Sequence, residues 1–135
     1  MGRTILGAVV GLAAAMAAML LIESLATMLF PPPPGIDLGS EAALAEMVAK
    51  ATPAMKAMVV FGWLLASFAG GWVAAKISRA HRVGAALVVG AAVVLGVIFN
   101  AVALPHPLWM TALGVLLPIP LAWWAARIAT PRIAL

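Results

Sequence analysis

ILGAVVGLAAAMAAMLLI, residues 5–22, runs without a charged or amide side chain and ends directly on Glu23. A helix that crosses the hydrocarbon core of a bilayer needs about 20 mostly apolar residues. The apolar core of a cleaved signal peptide usually spans only about 7–15. The run is therefore read as a retained membrane span, extending over residues 4–30. Three further stretches have the same character, at residues 55–75, 83–104 and 108–128. The whole composition agrees, with 66% apolar and 9% charged residues over 135 positions. A soluble domain carries about 25% charged residues, and a disordered chain is polar and charged. The expected fold is all-α: one transmembrane domain over residues 1–135, built as a four-helix bundle.

The loops set the expected orientation. Arg3, Lys76, Arg79, Arg82, Arg127 and Arg132 fall on one side of the four spans, and only Lys50 and Lys56 on the other. Lys and Arg are retained on the cytoplasmic side. Both termini are thus expected inside a bacterial inner membrane, with the loop at residues 31–54 and the Pro105-His106-Pro107 turn in the periplasm. Topology accounts for the net charge of +4. The basic residues are not interleaved with aromatics as in a single-strand binding groove, so no nucleic-acid partner is expected. The expected surroundings are the lipid bilayer and either a second copy or another membrane protein.

Pro31, Pro32, Pro33 and Pro34 favour a stiff polyproline II segment, which Gly35 ends. Ser40 is a good helix cap, and Leu44, Met47, Val48 and Ala51 share one face at helical spacing. This predicts a short amphipathic helix from Glu41, lying on the periplasmic surface. Phe30, Phe99 and Trp109 mark the outer boundary and Trp72, Trp123 and Trp124 the inner one, where tryptophan is favoured. Trp63 lies deeper.

The densest pattern is one of small residues, which let helices approach closely in lipid. Gly62, Ala66, Gly70 and Ala74 recur every fourth position in the second span, beside a second row of Ser67, Gly71 and Ala75. Gly7, Gly11 and Ala15 form a row in the first span, and Ala92 and Gly96 in the third. All are read as helix-packing seams.

Material for chemistry is scarce. There is no cysteine, and the two histidines fall on opposite sides, so neither a metal site nor a cofactor is expected. Glu23 is the one acid inside a span, where an ionised group costs at least about 2.5–3.5 kcal/mol. Steps of four from Gly7 pass through Gly11, Ala15 and Met19 to Glu23, which places the carboxyl on the interior stripe. Asn100, five residues before Pro105, is expected at a similar depth. With Thr111 on the fourth span and His106 in the turn above, these residues compose a candidate proton or ligand site open to the periplasm. The alternative is a packing hydrogen bond between Glu23 and Asn100. Pro118 and Pro120 predict a break within the fourth span.

Glu23, the Pro31-Pro32-Pro33-Pro34-Gly35 turn and His106-Pro107-Leu108-Trp109 together resemble a group of small bacterial four-helix inner-membrane proteins. These are functionally uncharacterised, so the resemblance implies a fold and no activity. A looser analogy links the chain to small multidrug resistance transporters, which are similar in size and exchange protons and cations at a Glu on helix one. The analogy implies that role for Glu23. The chain departs from it in lacking tyrosine and in its long proline-rich first loop.

The leading expectation is a structural or accessory protein that acts through helix–helix association, in an oligomer or a larger membrane complex. Two alternatives stand beside it. One is a proton-linked small-molecule carrier or ligand binder using Glu23. The other is an outer-leaflet enzyme using Glu23 and His106 as an acid–base pair.

Overall fold

The computed structural model describes residues 1–131, so Arg132 lies outside the described residues. Six helices follow one another: α1 (Gly2–Leu29), α2 (Glu41–Lys50), α3 (Pro53–Ile77), α4 (Arg82–Ala103), α5 (Leu108–Leu116) and α6 (Pro118–Ala129). Four helical stretches are long and apolar enough to cross a membrane: α1, α3, α4 and the combined run Leu108–Ala129.

Local chemistry sets the helix ends. Phe30 closes α1 with non-helical backbone angles, φ −130° and ψ 72°, because a residue before proline is pushed out of the helical region. Gly35 adopts φ +86° and turns the chain after the proline run. The Ser40 hydroxyl accepts from the Ala43 N–H to cap α2, and Thr52 caps α3 in the same way with Pro53 in its first turn. Glu46 and Lys50 pair one turn apart on α2. That hydrogen bond and charge hold the Glu46 carboxyl below its ordinary value. The contribution of the pair to α2 is therefore present at neutral pH and lost on acidification through the lowered value.

The break in the fourth span is local. Pro118 and Pro120 have no N–H, so the Gly114 and Leu116 carbonyls lose their usual donors. The ladder nevertheless continues on either side, through Leu117 N–H to the Leu113 carbonyl and Leu121 N–H to the Leu117 carbonyl, at 3.1 and 3.0 Å. The fully buried Ser67 hydroxyl of α3 donates to the Pro118 carbonyl at 2.6 Å, adding a polar tie between spans at this point.

Helix α3 is the hub. It packs along α1 on one side, on α6 and α5 on another, and on α4. Helix α1 also touches α4 but does not reach α5 or α6. The two small-residue rows of α3 explain this arrangement. Successive residues of a helix are about 100° apart, so rows offset by one position present two neighbouring faces. Gly62, Ala66, Gly70 and Ala74 receive α1. A Cβ built on Gly70 would lie 2.6 Å from the Gly11 carbonyl oxygen, and one on Gly7 would lie 2.7 Å from that of Ala74. Ser67, Gly71 and Ala75 receive α6. A Cβ on Gly71 would stand 3.0 Å from Ala122 Cα, and Ala75 packs with Ala126 and Ala129. Backbones in such close approach exclude larger side chains. Nearer the proline-rich end, where the seams widen, Trp63, Val60, Val97 and Met110 fill the centre.

Gly96 departs from the packing role expected of it. A Cβ there would meet nothing within 4 Å. Helix α4 turns Val89 and Val97 into the core, which leaves Gly96 exposed on the flank. Alanine substitution should therefore have opposite signs at two helical glycines. Gly96→Ala gains helix propensity, up to about 1 kcal/mol. Gly70→Ala forces α1 away and costs about 1–3 kcal/mol. Thermal unfolding in a single detergent should show the first variant at or above wild type and the second clearly below.

Candidate functional site

The proline-rich end of the bundle holds a groove of about 520 Å³ between α1 and α4, floored by α3. It opens because α1 follows α3 closely and touches α4 less. Leu12, Ala15, Met16, Met19 and Glu23 line it from α1, and Trp63 and Ala66 form its floor. Ala92, Val93, Gly96, Val97, Phe99 and Asn100 line it from α4. The walls are thus largely apolar, with one carboxyl and one carboxamide.

Glu23 does not face the packed interior as the four-residue stepping suggested. It is exposed at the edge of the groove, while its neighbour Ile22 is buried against Gly62. Helical drift is the cause. Seven residues beyond Ala15 bring Ile22 back to within about 20° of the same face, whereas eight bring Glu23 to about 80° from it. Asn100 is half-buried in the same groove. The two side chains share the space without a hydrogen bond to each other, and neither has a side-chain partner among the described residues. Thr27 and Ser24 direct their hydroxyls to backbone carbonyls of α1, those of Glu23 and Leu20, at 2.9 and 2.8 Å. They offer the Glu23 carboxyl nothing.

His106 and Thr111 are not brought to this groove. The His106 ring lies 5.9 Å from the Trp63 ring, and its Nδ1 meets the Leu104 carbonyl at 3.0 Å. A carbonyl only accepts, so Nδ1 carries the proton. His106 lines a separate cavity of about 150 Å³ with Lys56, Met110 and the apolar face of α2, including Met47 and Val48. Thr111 is half-buried on α5 and lines neither cavity. Glu23 and His106 therefore do not open onto one common space. Trp63 was recognisable as a deep aromatic, but its place between the two cavities depends on how α3 meets α5. A Cβ on Gly114 would lie 2.7 Å from that indole.

The opposite end concentrates positive charge at helix termini. Arg3 Nε donates to the Ile77 carbonyl at 3.4 Å, and Arg82 Nη1 to the Ala129 carbonyl at 3.3 Å. Each guanidinium thus sits at the last carbonyl of a neighbouring helix, where cations are favoured. Thr4 connects the buried Ser78 hydroxyl, at 3.2 Å, and His81 Nδ1, at 3.4 Å.

Comparison with protein-family models, with curated proteins and with solved structures gives no match for this chain. The geometry of the groove therefore has to carry the functional reading.

If the groove is open as described, a cysteine at position 96 should react with a small maleimide in detergent micelles much faster than one at position 86. Ala86 is fully buried on the same helix, and thiolate chemistry needs access to water. Equal rates at the two positions would show that the α1–α4 opening is closed.

Proposed function

We propose that this chain is a small multi-pass protein of the bacterial inner membrane that works through helix–helix association, in an oligomer or a larger membrane complex. The observation that carries the reading is the exposure of Glu23 beside Asn100 in a groove flanked by bare small residues. In hydrocarbon both side chains need polar partners, and the chain supplies none within the groove. A helix from another subunit could approach closely over Ala92 and Gly96 and present hydrogen-bonding groups at the depth of Glu23 and Asn100. Small residues and interhelical polar contacts are the two features that hold membrane helices together, the latter contributing about 0.6–2 kcal/mol each.

The distribution of Lys and Arg supports a single orientation, with both termini cytoplasmic and α2 at the periplasmic surface. Copies inserted the same way would meet with their Glu23 and Asn100 side chains at equal depth. Glu23 of one copy and Asn100 of the next are then complementary, because the amide donates and the carboxyl accepts.

A second reading draws on the size of the same groove. Its volume of about 520 Å³ lies within the range of small-molecule sites, roughly 300–1,000 Å³. A lone carboxyl in apolar walls suits a proton-linked carrier or binder. In that case Glu23→Gln abolishes proton release on ligand binding. The enzymatic reading gains no support, since Glu23 and His106 line separate cavities.

The association reading is tested by single-molecule photobleaching in liposomes, together with mild crosslinking in native membranes. Wild-type protein should form oligomers or crosslink to a specific membrane partner through position 96. Gly96→Leu, at a position where an added Cβ meets nothing within 4 Å, should weaken that association at least about tenfold, or about 1.4 kcal/mol. A chain that stays monomeric at every protein density, and crosslinks to nothing, would contradict the proposal.

A further inference from the structure

We propose that the basic end of the bundle carries a specific site for the headgroup of an anionic phospholipid, in a cavity between the start of α4 and the end of α6. The cavity measures about 840 Å³, and Val83, Trp124, Arg127, Ile128, Thr130 and Pro131 line it. This inference is independent of the α1–α4 groove.

Among the described residues no acidic side chain pairs with the charge at this site. The four acidic side chains of the protein are Glu23, Asp37, Glu41 and Glu46. Asp37, Glu41 and Glu46 belong to the segment between α1 and α3, and Glu23 lines the groove nearer the proline-rich end. Among the described residues the ion pair found is Glu46–Lys50, on α2. The Arg127 guanidinium lies 5.1 Å from the Trp123 ring, a cation–π contact that leaves its charge uncompensated. Arg82, adjacent to Val83, holds a second guanidinium nearby through its bond to the Ala129 carbonyl.

The donors in the cavity select the headgroup chemistry. Thr130 already donates its hydroxyl to the Ala126 carbonyl at 2.9 Å, so it can only accept further. Arg127 is then the donor to an anion, and its planar fork matches two oxygens of a phosphodiester. The remaining walls favour an amphiphile over a free anion. Val83, Ile128 and Trp124 present apolar surface, which glycerol and the first methylenes of an acyl chain would cover. Trp123 and Trp124 are both exposed here, as suits side chains at the headgroup level. Basic pockets between membrane helices bind anionic lipid headgroups by this chemistry.

The test is thermal unfolding of the delipidated full-length protein in neutral detergent, titrated with phosphatidylglycerol, phosphatidylcholine or inorganic phosphate. Phosphatidylglycerol should raise the midpoint well above phosphatidylcholine, and inorganic phosphate should have no effect at the same concentration. R127Q should weaken the phosphatidylglycerol response about fivefold, while K56Q, near the opposite end, leaves it unchanged. Native mass spectrometry of the wild type reads the same preference as lipid adducts, should R127Q fail to fold. Equal responses to the two lipids, or an unaltered preference in a folded R127Q, would overturn the proposal. A full response to inorganic phosphate would overturn its lipid component and leave a simple anion site.

Discussion

No water is present in a bilayer core to satisfy a polar group, and this constraint orders most of what the chain does. Backbone groups are satisfied within helices, as they must be. Beside the proline break in the fourth span, the fully buried Ser67 hydroxyl of α3 is itself satisfied by the Pro118 carbonyl. At the basic end, Arg3 and Arg82 reach across to the terminal carbonyls of α3 and α6. Glu23 and Asn100 are the exception, since they lie within membrane-spanning helices and share a groove without bonding each other. The proposed association follows from that exception.

Packing and function draw on the same residue class in different ways. On α3 the small residues are used up, since one row is closed by α1 and the other by α6. On α4 the division is finer. Gly90 is closed by Ala122 at 2.9 Å from a notional Cβ, while Gly96, nearly two turns on, meets nothing. The two lie about 120° apart around α4, so Gly90 faces α6 while Gly96 faces the groove beside α1.

Much of the fold was legible because hydrophobicity and breakers decide it. Four apolar runs read directly as four helices, and the Pro118–Pro120 pair marked the break. The facing of Glu23 was not legible from a step of four, because a true turn of 3.6 residues carries the position off the stripe and buries Ile22 instead. The environment of Gly96 was equally hidden. A small residue allows close approach, but it does not say whether a neighbour has approached. The separation of His106 from Glu23 depends on Trp63 standing between their cavities, a tertiary fact with no local signature. The Ser67–Pro118 bond was not legible, because it depends on the register between α3 and the fourth span.

The most direct test is the accessibility of a nitroxide at position 99, where it replaces an already bulky phenylalanine of the groove lining, measured by electron paramagnetic resonance in liposomes. Oxygen, which concentrates in lipid, serves as the relaxant, with a label at the exposed Val102, outside the groove lining, as reference. Association through the groove predicts low oxygen accessibility at position 99 at ordinary protein density, rising toward the Val102 value as the protein is diluted in lipid. Accessibility at position 99 equal to that at Val102 at every density would mean that the groove is bathed in lipid, and that nothing comes to cover Glu23.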